Sequence, residues 1–169
     1  VSTNVAFYKY DQDVATTVAI AQACNNEVRQ MTVDYPARFA GLATLPMQDI
    51  PAAIAELERA VVQLSLKGAM IWCSPPESQP YSSDIYAPFW ATAQELRMPI
   101  SLHAITGMGR ESQWNFGLKE RYMRATVLPH EIERSFSVLI FSGVLERFPT
   151  LQIVSAENNC GWLPYYLQR

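Results

Sequence analysis

Three residues able to do chemistry stand at the same kind of position in this chain. Each closes a short apolar run: Ser74 in GAMIWCS, His103 in PISLHA and Glu157 in LQIVSAE, the last followed by Asn158 and Asn159. A run of this kind has its body in a core and its end where a ligand can reach. A neutral imidazole placed there is a metal ligand or general base, or else a buried ring bonded to a carbonyl, and spacing alone weighs these equally. A carboxylate in such a place needs a cation or hydrogen-bond donors, which leaves ligation, proton transfer and ion pairing open for Glu157.

Other residues have chemical alternatives with a plainer reading beside them. His130, in LPHEIER, invites comparison with the HExxH zinc motif, but Arg134 stands where the second histidine belongs, so a solvated helix N-terminus is expected. Cys160 beside Gly161 has no histidine placed to activate it, and a packing role is expected. Trp72 and Trp162, near strand ends, can line a substrate pocket or close the core, and the pocket is favoured for Trp162. Arg110, in the loop after His103, is the candidate for holding an acidic substrate, with a solvent-facing loop arginine as the plain alternative.

The elements that must position these residues alternate. Helical apolar spacing runs from Asp13 to about Val33, and RFAGLATLP, 38 to 46, reads as a strand closed by proline. Asp49 and Pro51 open the clearest helix, with Ile54, Leu57, Val61 and Leu64 on one face. GAMIWCS is the next strand, and SPPESQPYSSD can only be a loop. Asp84 is expected to cap a helix containing Phe89, Trp90, Ala93 and Leu96. PISLHA follows, then a long loop from Thr106 to about Lys119, the helical HEIERSFSVLIFSGVLERF, the strand LQIVSAE and a last helix from Gly161. Apolar strands alternating with helices mean βα units and a parallel sheet, whose functional residues gather at the C-terminal ends of the strands.

Composition bounds the partners. With 169 residues, 49% hydrophobic and 17% charged, the chain holds enough apolar material for one core. A net charge of -3 with no basic cluster gives no footprint for nucleic acid or an anionic membrane. No apolar stretch approaches the roughly 20 residues that span a bilayer. Three widely spaced cysteines without a CxxC pair indicate neither a disulfide framework nor a zinc knuckle. A cytoplasmic protein with reduced thiols is expected.

Three stretches taken together, YPARFAGLATLPMQDIPAAIAELERAV, PFWATAQELRMPISLHA and SGVLERFPTLQIVSAENNCGWLPYYLQR, resemble the amidohydrolase-related metal-dependent hydrolases. That group includes aminocarboxymuconate-semialdehyde decarboxylase and related aromatic-acid decarboxylases, and the resemblance runs from about Asn25 onward. It implies a (β/α)8 TIM barrel in which RFAGLATLP, GAMIWCS, PISLHA and LQIVSAE are the third to sixth strands. It also implies a divalent metal, commonly zinc, held by a first-strand His-x-His, a fifth-strand histidine and an aspartate near the eighth strand. His103 matches the fifth-strand ligand. Glu157 stands where the sixth strand often carries a histidine.

The sequence contains no His-x-His and ends at Arg169, whereas such barrels take roughly 250 residues. The expectation is therefore a single partial barrel domain over residues 1–169, covering about strands 2 to 6. The implied activity is that of a metal-dependent hydrolase or decarboxylase acting on a small carboxylated or aromatic substrate. His103 would ligate the metal and Glu157 would orient or protonate the substrate, with Trp162, Arg110 and Trp72 around it. The rival expectation is a non-catalytic fragment or degenerate barrel serving as a binding or assembly module, and a homo-oligomer is left open. Because a zinc site wants three or four protein ligands, the 169-residue chain alone is expected to bind metal weakly and to be inactive.

Overall fold

Two capped helices begin the frame. Asp13 accepts the Thr16 amide at 2.9 Å and starts α1 (Val14–Asp34). Asp49 accepts the Ala52 amide at 2.8 Å and, with Pro51 in the first turn, starts α2 (Ile50–Val62). The buried residues Ile50, Ala53, Leu57 and Ala60 form a stripe at helical spacing on α2. The structure, a computed structural model, describes residues 1–8, 10–107 and 118–169.

Four strands, β1 (Ala43–Thr44), β2 (Ala69–Ser74), β3 (Ile100–Gly107) and β4 (Ile153–Ala156), form one sheet in the order β1-β2-β3-β4, every pair parallel. The connections carry α2, then α3 (Ala87–Glu95), then α4 (Leu118–Phe141) with α5 (Val144–Arg147); α6 (Leu163–Leu167) follows β4. Strand order equal to chain order, with helices between parallel strands, is the arrangement of successive units of a (β/α)8 barrel. All six residues of β2 are buried, as a central parallel strand requires. The core is built from Leu45, Leu57, Ile71, Phe89, Trp90, Ile100, Leu102 and Ile132.

The observed elements differ from expectation at four places. Of the run 38 to 46, only Ala43 and Thr44 pair with β2. The outward backbone groups of Thr44 are taken by the Asn25 side chain instead of a further strand: Thr44 N–H donates to Asn25 Oδ1 at 2.8 Å, and Asn25 Nδ2 donates to the Thr44 carbonyl at 3.0 Å. Asp84 is not the cap expected of it. It lies inside a 3-10 turn, Asp84–Tyr86, and its carboxylate takes the Arg147 guanidinium at 3.0 Å. At the ends of the loop expected from Thr106 to about Lys119, β3 runs to Gly107 and α4 begins at Leu118, and the residues between lie outside those described. Finally, the helical stretch that reads as continuous through Phe148 breaks at Gly143, whose φ of 75° lies in the left-handed region.

Candidate functional site

Trp72, His103 and Ala156 stand in register across β2, β3 and β4, at the last residue of β4 and within two residues of the end of β2, while β3 runs on to Gly107. That register brings His103 and Glu157 together. Glu157, one residue past β4, has its Oε2 3.1 Å from Nε2 of His103. The imidazole is largely enclosed, with 16% of its surface exposed, while the carboxylate is 72% exposed. The pair is thus a sheltered ring with an open acidic neighbour.

The other ring nitrogen settles the proton. Nδ1 of His103 lies 2.6 Å from the Ala104 carbonyl oxygen, which can only accept, so Nδ1 carries hydrogen. Nε2 is then left facing a carboxylate oxygen. Two acceptors at that separation need a cation between them, either a second imidazole proton or a metal ion. An imidazole nitrogen and a carboxylate oxygen are both divalent-metal donors, so this pair fits part of a coordination sphere. Among the described residues, no group of three His, Cys, Asp or Glu is placed to hold a metal.

The backbone at the strand ends is held by side chains. Thr106, buried in β3, accepts the Cys73 amide at 2.8 Å and shares its hydroxyl proton between the carbonyls of Ile71 and His103. It therefore knots β2 to the end of β3 just past the histidine. Beyond β4, Glu157 and Asn159 have φ of 62° and 56°. For Glu157 the left-handed conformation costs about 1–2 kcal/mol, which its surroundings must offset, whereas an asparagine such as Asn159 adopts it more readily. Asn158, between them, is 2% exposed and donates from Nδ2 to the carbonyls of Ala156 at 2.7 Å and Leu102 at 3.2 Å.

The remaining candidates fall elsewhere. Trp72 is enclosed in the core under Tyr10, with ring centroids 4.5 Å apart. Tyr10 shares that burial, which pushes its phenol well above the ordinary range. Trp162 is half-buried, packs on Phe136 and Tyr166, and donates Nε1–H to the Asn159 carbonyl at 3.2 Å. Arg110 lies outside the described residues. Ser74 is buried and donates to Glu131 Oε2 at 2.8 Å, a tie from the end of β2 to α4.

Two expectations need correction. His130 is exposed as expected, but it lies inside α4, not at a helix N-terminus, with Nδ1 3.6 Å from Glu133. Cys160 is exposed and so has no packing role, because the turn after Glu157 carries it to the surface. Thr106 and Glu131 escaped sequence reasoning. A threonine three residues past a strand-end histidine was a usable signal, whereas Glu131 sits in a motif that reads as solvated.

The match to known proteins covers nearly the whole chain. The gamma-resorcylate decarboxylase of Polaromonas sp. (strain JS666 / ATCC BAA-500) is 29% identical over 160 residues, which are 88% of this chain and 47% of that protein. The 2-amino-3-carboxymuconate-6-semialdehyde decarboxylase of Dictyostelium discoideum is 26% identical over 150 residues, 89% of this chain and 40% of its own length. The chain thus spans somewhat less than half the length of these relatives. The crystal structure of a dihydroxybenzoic acid decarboxylase from Polaromonas sp. JS666, with bound manganese and the inhibitor 2-nitroresorcinol, superposes with a TM-score of 0.71. It is 25% identical, over 93% of this chain and 48% of that one. With residues 3–164 matching the family described as Amidohydrolase, the chain belongs to that family.

Proposed function

We propose that the protein is a metal-dependent decarboxylase of small carboxylated aromatic or unsaturated acids, with its reaction centred on His103 and Glu157. The observation that carries this is the 3.1 Å approach of His103 Nε2, in β3, to Glu157 Oε2, one residue past the neighbouring parallel strand β4. The relatives are decarboxylases of resorcylate and of a carboxymuconate semialdehyde, and one similar structure holds manganese. A divalent ion is accordingly the implied cofactor, with manganese and zinc both compatible with an imidazole ligand such as His103.

Each residue has a defined task. His103, its Nδ1–H fixed on the Ala104 carbonyl, would offer Nε2 as a ligand with no choice of tautomer. When bound, the metal would supply positive charge to hold the substrate's acidic groups and stabilise charge developing during bond cleavage. Glu157 is the exposed member of the pair, so it can carry a proton to the substrate carbon as the carboxylate departs as carbon dioxide. The enclosed wall around His103 keeps that imidazole from solvent.

The test uses the full-length gene product with γ-resorcylate and 2-amino-3-carboxymuconate-6-semialdehyde as substrates, followed by carbon dioxide release, and metal content measured after dialysis. His103→Ala should lose both bound metal and turnover. Glu157→Gln should retain the metal and lose about 100-fold or more in kcat, since it removes the proton carrier with little change of shape. Metal retention in His103→Ala, or unchanged turnover in Glu157→Gln, would refute the assignment.

A further inference from the structure

The turn after β4 is built around a buried amide whose whole hydrogen-bonding effort goes into two strand ends. Asn158 donates from one nitrogen to the carbonyls of Ala156, on its own strand, and Leu102, the residue before His103 on the neighbouring strand. Its Oδ1 is buried and has no hydrogen-bond partner among the described residues. A side chain that leaves its acceptor unused while committing its donor group to two backbones is present as a double donor. The residues on each side, Glu157 and Asn159, are the two left-handed positions of this segment. Trp162 closes the turn from outside by donating to the Asn159 carbonyl at 3.2 Å.

We infer that Asn158 is a positioning residue: by tying Leu102 to Ala156 it fixes the left-handed turn that carries the Glu157 carboxylate to Nε2 of His103. Without the tie, Glu157 is free to relax to an ordinary φ, which swings its side chain away from the imidazole. The effect passes through one carboxylate, so it should disappear when that carboxylate is already gone. This role rests on the proposed His103–Glu157 centre, but its structural half can be tested without turnover.

The first measurement is the Nε2 resonance of His103 in metal-free protein labelled with 15N-histidine, at one fixed pH, assigned by its loss in His103→Gln. Asn158→Leu, which keeps bulk and removes both donors, should move that resonance to the position seen in Glu157→Gln. Asn158→Ser, which keeps one donor, should place it between those limits, and it carries the test if the leucine variant fails to fold. The second measurement is a double-mutant cycle on decarboxylation. Asn158→Leu should lower kcat about tenfold with KM within about twofold, and should change kcat less than about twofold when added to Glu157→Gln.

A wild-type Nε2 resonance in the Asn158 variants would overturn the inference, as would losses that simply multiply in the cycle, because either result means the amide only supports the fold. If the wild-type protein decarboxylates neither acid, the proposed chemistry fails and the nitrogen resonance alone decides the positioning role.

Discussion

Replacing Asn25 by Ala removes a side chain that holds three elements to one another. Asn25 is fully buried on α1. It exchanges two hydrogen bonds with the Thr44 backbone on β1, at 2.8 and 3.0 Å, and donates to Glu56 Oε1 on α2 at 2.6 Å. Glu56 is itself buried and keeps its bidentate pairing with Arg59, at 2.8 Å on each oxygen, so the carboxylate stays neutralised in the variant. The two neutral bonds contribute about 1 kcal/mol each, and the bond to the carboxylate about 2 kcal/mol. The Thr44 amide and carbonyl are left without a partner at a buried edge, so little of this is recovered. The expected loss is about 4 kcal/mol, a large fraction of the roughly 5–15 kcal/mol that holds a typical domain folded. In urea, followed by far-ultraviolet circular dichroism, the midpoint should fall by about 2 M. Asn26→Ala is the control: its Oδ1 accepts from Arg59 at 3.0 Å on the exposed side, and its removal should cost within about 0.5 kcal/mol. A loss for Asn25→Ala no larger than for Asn26→Ala would refute the view that this amide completes the sheet edge.

Three further outcomes can be measured directly. Burial pushes the Tyr8 phenol up to about 12 and those of Tyr10 and Tyr81 well above the ordinary 10. The unfolded chain therefore releases these protons first, so stability from this source is complete below pH 10 and falls as pH rises from 10 towards 12 and beyond. Absorbance at 295 nm should show the buried phenols ionising only with loss of structure, and free ionisation of all tyrosines near pH 10 in folded protein would contradict this. Gly41→Ala would place a Cβ 2.6 Å from Val28 and 2.7 Å from Leu66, so thermal unfolding should reveal a loss of about 1–3 kcal/mol; an unchanged melting temperature would show that the two side chains yield freely. With a thiol reagent, exposed Cys160 should react at once and buried Cys73 only on unfolding, and rapid labelling of Cys73 would contradict its burial.

The parts of the fold legible in the sequence are those written in local chemistry. Asp13 and Asp49 cap the helices they precede, and GAMIWCS is a strand along almost its whole length because a central parallel strand is apolar on both faces. What was not legible depends on partners remote in the chain. RFAGLATLP has strand composition throughout, yet β1 is confined to two residues, with a side chain 19 positions earlier closing its outer edge. Asp84 has the composition of a cap, but an arginine 63 residues later claims its carboxylate. At the candidate site, strand-end position marked His103 and Glu157 as candidates. The tautomer of His103 and the left-handed turn at Glu157 are set by backbone geometry, and no spacing rule encodes them.

The order of the strands also bears on how the protein is made. Among the described residues, each strand after β1 lies beside the strand that preceded it in the chain, so pairing within this sheet follows chain order. As the chain leaves the ribosome, each strand can dock on a sheet already formed, with the intervening helix closing over it. The histidine of β3 therefore has its neighbour on β2 before the glutamate is synthesised, and the pairing of the two site residues is completed only when β4 is added.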